Sequence, residues 1–199
     1  MSAKAPSLRP AGTSPVLADL VSRARVHDVV LVLAGTALIA ISGYAVIPLP
    51  FTPVPLTLAT LTVLVLGAAL GPLRGASSAG LYLLLGVAGI PLFGAGKAGW
   101  EFSSFGYIVG WVAAAAVTGL LARRRADRSP WSTIALAAAG SLTIYAFGVP
   151  WLAAFLGLDL RTALAYGVLP FLIGDALKIV VAAGLLPTAW RLLDRRSNR

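Results

Sequence analysis

Long runs without charge constrain this chain more than any other feature of its sequence. No Asp, Glu, Lys or Arg occurs from Val29 to Ile47, or again from Trp131 to Leu158. Each run reaches or exceeds the ~20 residues a helix needs to cross a hydrocarbon core. Only 12% of the 199 residues are charged, whereas a soluble domain carries roughly a quarter. That is too little charge to coat a globule, so the outer surface is expected to face lipid. The chain has no cysteine, which excludes a disulfide framework, a thiolate metal site and a cysteine nucleophile together. Its net charge of +9 sits in short basic clusters between apolar runs. Such clusters orient membrane helices, which argues against a nucleic-acid partner.

Six spans follow from the pattern. Val29 to Ile47 ends at a proline-rich turn, Pro48 to Pro55, that cannot continue a helix. Leu56 to Leu70 and Ala76 to Ile90 are shorter and joined by Gly71-Pro-Leu-Arg-Gly75; each must extend into its flanks or stop short of one surface. A glycine-rich loop, Pro91 to Gly99, precedes a fourth span from Phe102 to Ala122. Trp131 opens the fifth, with Pro150 as a kink or outer boundary, and the sixth runs from about Tyr166 to Trp190. Residues 1–28 are a polar N-terminal segment without the apolar core or cleavage site of a signal peptide. Residues 29–190 are the membrane domain, and residues 191–199 a basic tail.

Charge gives this bundle a direction. With the N-terminus in the cytoplasm, the inner segments hold Lys4, Arg9, Arg23, Arg25, Arg74, Arg123, Arg124, Arg125, Arg128, Arg191, Arg195, Arg196 and Arg199. The outer ones hold Lys97 and Arg161. The asymmetry predicts a multi-pass protein of the cell membrane with both termini cytoplasmic.

One charged cluster remains inside the spans, Asp175 and Lys178, three residues apart and so on one helix face. An ionised group at this depth costs about 2.5–3.5 kcal/mol on insertion scales and needs a partner or a function. The two readings are a self-neutralising ion pair and a ligand site. If Trp190 marks the inner interface, Asp175 lies about 22 Å up a straight helix, in the outer half of the membrane. A site there opens outward. Pro170 either starts a fresh helical segment, whose free amides near Gly174 can receive a ligand oxygen, or simply kinks the chain. Lys97 is expected at the mouth as an external cationic contact. Its loop lacks the lysine–hydroxyl ending of a phosphate cradle. The loop residues Phe51, Thr52, Pro53, Gly94 and Gly96 are expected to gate the pocket. Tyr82 and Tyr107 are either core packing or pocket wall. A single histidine, His27, makes no metal site, so none is expected. Trp100, Trp131, Trp151 and Trp190 fall near span ends and fit interface anchoring.

A series of motifs then carries a resemblance. Pro48-Leu-Pro-Phe-Thr-Pro-Val-Pro-Leu-Thr57, Leu66-Gly-Ala-Ala-Leu-Gly-Pro-Leu-Arg-Gly75, Tyr82-Leu-Leu-Leu-Gly86 and Gly89-Ile-Pro-Leu-Phe93 occur in order. Gly106-Tyr-Ile-Val-Gly110 and Pro170-Phe-Leu-Ile-Gly-Asp-Ala-Leu-Lys178 follow. Together they resemble the BioY family, the biotin-specific S components of energy-coupling factor (ECF) transporters, over residues 25–190. The resemblance implies an all-α, six-helix S-component fold that captures biotin from outside. It also implies a transmembrane coupling protein and two ATP-binding cassette ATPases as partners. This subunit itself then needs no cofactor and catalyses no reaction, ATP being used by the ATPases alone. The family's acidic and basic residues of the last helix match Asp175 and Lys178, and its loop cation matches Lys97. Three departures stand out. Ala59 replaces a common glutamine, Phe102-Ser-Ser-Phe-Gly-Tyr107 replaces Gly-Pro-Thr-Gly-Gly-Tyr, and Ala34, Ala37 and Ala40 replace an alanine-x-x-x-alanine docking signature.

The chemistry fits the implied ligand. Asp175 can accept from ureido N–H groups, Lys178 can donate to the ureido carbonyl, and Lys97 can meet the carboxylate, unless the two lysines exchange roles. Two other classes compete: a carrier for another small carboxylate or vitamin, including a proton-coupled one using Asp175, and an intramembrane enzyme. The spans hold no histidine or cysteine and one carboxylate, which leaves an enzyme short of catalytic groups.

Overall fold

The structure, a computed structural model, describes residues 14–20 and 25–197. Seven α-helices follow in chain order: α1 (Arg25–Tyr44), α2 (Ala59–Leu70), α3 (Pro72–Val87), α4 (Phe105–Arg123), α5 (Pro130–Leu156), α6 (Leu160–Gly167) and α7 (Leu172–Ser197). Two short strands, β1 (Val46–Ile47) and β2 (Leu56–Thr57), pair antiparallel across the proline-rich turn. Four helical stretches are long and apolar enough to cross a membrane: Val26–Gly43, Phe105–Arg123, Pro130–Leu156 and Leu160–Leu193. The second and third expected spans are shorter helices of 12 and 16 residues. At 1.5 Å per residue, α2 reaches only about 18 Å.

Three sequence expectations need correction. The expected loop Gly71–Gly75 shrinks to one residue. Gly71 takes φ +85°, and Pro72 begins α3 at its first turn. Proline suits that position because the first-turn N–H has no helical acceptor. Pro150 is no outer boundary, because α5 continues through it to Leu156 and ends at Gly157. The expected link before the sixth span is itself helical, and α7 begins only at Leu172. Asp159 caps the eight-residue α6 by accepting from the Thr162 N–H at 2.8 Å. A 3-10 turn, Leu169–Phe171, holding Pro170 then leads into α7. Pro170 therefore does precede a fresh helix.

Helix α4 is the hub, packed against α2, α3 and α5. Close approach is set by missing side chains: a Cβ on Gly119 would fall on the backbone of Gly71 and Pro72. The core forms two clusters. One surrounds Tyr82, Phe93 and Trp111; the other gathers Val16, Ala68, Leu70, Ala122, Leu136 and Leu186. Outward, α1 exposes Val26, Val29, Val30, Leu33 and Ile41, and α7 exposes Ile173, Leu177 and Val180. Apolar stripes this continuous belong against lipid rather than water. Of the alanines in the first span, Ala34 and Ala37 are on the exposed side while Ala40 is buried.

The bundle has two unlike ends. At one, Arg74 in the first turn of α3 bonds Asp19 and Asp28, each at 2.8 Å, and Arg123 at the end of α4 approaches Asp19 at 3.5 Å. Burial pushes the Asp19 carboxyl up. The Arg74 hydrogen bond, the Val16 N–H and the Arg123 charge outweigh it and hold the carboxyl below its ordinary value. Lys4, Arg9, Arg23 and Arg199 of the expected basic segments lie outside the described residues. The proline-rich turn, the glycine-rich loop and the α5–α7 connection form the other end.

Candidate functional site

A cavity of about 270 Å³ opens among the loops at that second end, at the small limit of ligand clefts, ~300–1,000 Å³. Its apolar walls come from Phe93, Ile108, Trp111, Ile144 and Phe171. Its polar groups are few: Asp175 and Lys178 on α7, Ser141 and Tyr145 on α5, Thr57, Thr60 and Ser104, with Lys97 from the glycine-rich loop. An apolar slot with a small convergent polar set is the usual form of a small-molecule site.

Asp175 lies in the first turn of α7 and is 8% exposed. Both of its oxygens are engaged. Lys178 Nζ stands 3.3 Å from Oδ1, and the Tyr145 hydroxyl donates to Oδ2 at 2.6 Å. The charged pair is therefore on the cavity wall rather than turned to lipid, which answers the insertion cost. Tyr107 also lines the cavity, but its hydroxyl donates to the Gly167 carbonyl at 2.9 Å, and its ring meets Tyr145 edge-on.

The loops are tied over this space. Thr52 Oγ1 donates to the Tyr166 carbonyl at 2.7 Å, and Ser103 Oγ donates to the Pro53 carbonyl at 3.2 Å. Phe93 and Lys97 exchange backbone hydrogen bonds of 3.0 and 3.1 Å, which closes the glycine-rich loop. The Lys97 ammonium lies 5.3 Å from the centre of the Phe102 ring and is exposed at the mouth.

The structure thus brings together Asp175, Lys178, Lys97, Tyr107, Thr52, Pro53 and Gly94 around one cavity. Tyr82 is not at its surface. Fully buried, it donates to the Leu92 carbonyl at 3.1 Å and packs against Phe93 and Trp111 behind the wall. Gly174, Phe51 and Gly96 also stand apart from the lining. Gly174 passes the Leu56 side chain, while Phe51 is 59% exposed. Tyr145, Ser141 and Trp111 were not singled out from the sequence. A usable signal existed for the first two: Ser141 and Tyr145 are hydroxyls one helical turn apart in an uncharged span. Trp190 corrects an expectation as well. It is 4% exposed and donates to Asp127 Oδ2 at 2.5 Å, so it is no interface anchor. Among the described residues no cluster of three or more His, Cys, Asp or Glu could hold a metal.

A helical bundle with lipid-facing apolar stripes and, near one end, an apolar slot holding a small polar set is a membrane-embedded small-molecule binder. A model of the BioY family matches residues 14–195. The chain is 34% identical over 168 residues to the biotin transporter BioY of Rhizobium etli, covering 79% of this chain and 89% of that one. Against the biotin transporter BioY of Thermotoga maritima it is 37% identical over 158 residues, covering 77% and 90%. Its fold matches the crystal structure of the S-component for biotin from an ECF-type ABC transporter with a TM-score of 0.75. That match has 25% identity and covers 85% of this chain and 95% of the other. The chain belongs to the BioY family, whose relatives here are transporters and not enzymes.

Proposed function

We propose that this chain is the membrane subunit that captures biotin from outside the cell for an ECF-type transporter. The observation that carries the reading is the Asp175–Lys178 pair, largely buried on the wall of a cavity built, apart from Lys97 at its mouth, of apolar and hydroxyl groups. Asp175 accepts a ureido N–H, Lys178 donates to the ureido carbonyl, and Lys97 at the mouth meets the carboxylate. Phe93, Trp111 and Ile144 hold the apolar bicycle. Thr52, Pro53 and Gly94 belong to loops that close over the bound ligand. The chain hydrolyses nothing itself; a coupling protein and two ATPases supply the work, and both termini lie in the cytoplasm. The relatives named biotin transporters support the ligand, and the neighbour described as an ECF S-component supports the type of assembly.

Calorimetry on the detergent-solubilised protein tests this. Biotin and dethiobiotin, which share the ureido group, should both bind. The double variant Asp175→Asn with Lys178→Met removes both charges at similar volume, so neither is left buried and unpaired. It should remain folded and lose at least about a hundredfold in biotin affinity, ~3 kcal/mol. A folded double variant with near-normal affinity sinks the site assignment.

A further inference from the structure

One buried hydroxyl of the bundle has no partner. Among the described residues nine polar or charged side chains are buried, and eight of them hydrogen-bond to another group. Most helix hydroxyls in that set do so in the usual way: Thr36, Ser78, Thr118 and Thr133 each donate to the carbonyl four residues back. Ser141 on α5 is the exception. It is 6% exposed, yet among the described residues it bonds neither the Ala137 carbonyl nor any other group. Its oxygen still reaches open space, and the space that Ser141 lines is the cavity. A buried hydroxyl without a partner is costly, and one turned to a cavity can be satisfied by what enters there.

Two bonds show where in the cavity this hydroxyl lies. Tyr145 meets Asp175, and Asp127, just before α5, meets Trp190 near the end of α7, so the two helices run antiparallel. Three residues on along α7 and four back along α5 therefore lead the same way, about 4.5 and 6 Å below the Tyr145–Asp175 bond. Lys178 and Ser141 stand at those levels and both line the cavity, so together they form its floor, on the side away from the loops. An ammonium can only donate, whereas a hydroxyl turns either way. We propose that Ser141 is a specificity-determining residue, the second donor beside Lys178 for one oxygen at the end of the ligand that enters first. A carbonyl oxygen has two lone pairs and can take both donors. A head group without an acceptor at its tip would leave both donors buried and unpaired, which is how such a site rejects an analogue. This role rests on the biotin reading for the identity of that oxygen, the ureido carbonyl; the unpartnered hydroxyl on the floor is present without a ligand.

Ser141→Ala removes a hydroxyl with no internal bond, so the ligand-free, detergent-solubilised variant should melt no lower than the wild type. A fall of several degrees would reveal a structural partner and overturn the role. By calorimetry the same variant should bind biotin about tenfold more weakly, or worse. With the thiourea analogue of biotin, which has sulfur, a poor acceptor, in place of the oxygen, the substitution should cost little. Unchanged biotin affinity, or an equal loss with both ligands, overturns it. Because the chain has no cysteine, Ser141→Cys introduces a single thiol. Methyl methanethiosulfonate should modify it in the ligand-free protein, and saturating biotin should protect it. An unreactive thiol overturns a cavity-facing Ser141 whatever the ligand proves to be. A wild-type protein that ignores biotin refutes the biotin reading; a reactive thiol then still supports Ser141 as a contact for what enters the cavity, and an unreactive one still overturns it.

Discussion

Asp127 is fully buried between the α4–α5 loop and the last turns of α7. There Trp190 donates to one oxygen, and the Arg128 guanidinium stacks 3.2 Å from the centre of the Trp190 ring. Burial pushes the Asp127 carboxyl above its ordinary value of 3.8, with the Trp190 bond and Arg128 charge offsetting only part of the effect. The folded state therefore holds this proton to higher pH than the unfolded chain does. Its stabilising share is present in acid and is lost as pH rises from about 4 through the raised value. Asp127→Asn keeps an acceptor for Trp190 and removes that loss. The melting temperature of the variant relative to wild type should climb between about pH 4 and pH 7. A difference independent of pH would contradict it. At this scale the sequence exposed what is expensive: a carboxylate and an ammonium in an apolar run must be explained, so Asp175 and Lys178 were legible. Tyr145 left only a faint mark, a hydroxyl one turn from Ser141, because a phenol enters a membrane helix at little cost and only the α5–α7 geometry reveals its bond. Tyr82 and Tyr107 had to stay open for the same reason.

Among the elements, the cavity is made by segments that break helices rather than by helix faces alone. The turn from Pro48 to Pro55 has four prolines in eight residues, which stopped α1 legibly, but its closure by β1 and β2 depends on backbone pairing that no periodicity carried. Helix α6 was missed inside the expected link, although Asp159 followed by Thr162 was a capping signal. Thr52 reaches from the turn to the Tyr166 carbonyl at the end of α6, so the short helix serves as a latch point. A ligand beneath these segments should damp their opening. Amide exchange at Leu49, Phe51, Thr52 and Val54, and across residues 93–97, should slow at least severalfold at saturating biotin. Normal binding without any slowing would remove both loops from gating.

Across the whole molecule the two ends differ in kind, and that difference was the easiest property to read from the sequence. Basic residues accumulate where Asp19, Asp28, Arg74 and Arg123 meet, opposite the cavity. The side facing the cytoplasm follows from that bias and not from the fold, which is the same either way up. Single cysteines can decide it, since the chain has none of its own. The positions must be exposed and unstrained. Arg125 and Gly96 are poor choices, with φ of +67° and +73°, where a cysteine side chain would be strained. Arg124, in the α4–α5 loop, and Ala98, beside the cavity mouth, are both exposed. Ala98→Cys should react with a membrane-impermeant maleimide in intact cells, and Arg124→Cys only after the membrane is opened. The reverse labelling would turn the cavity towards the cytoplasm, and a site whose mouth opens there cannot take its ligand from outside.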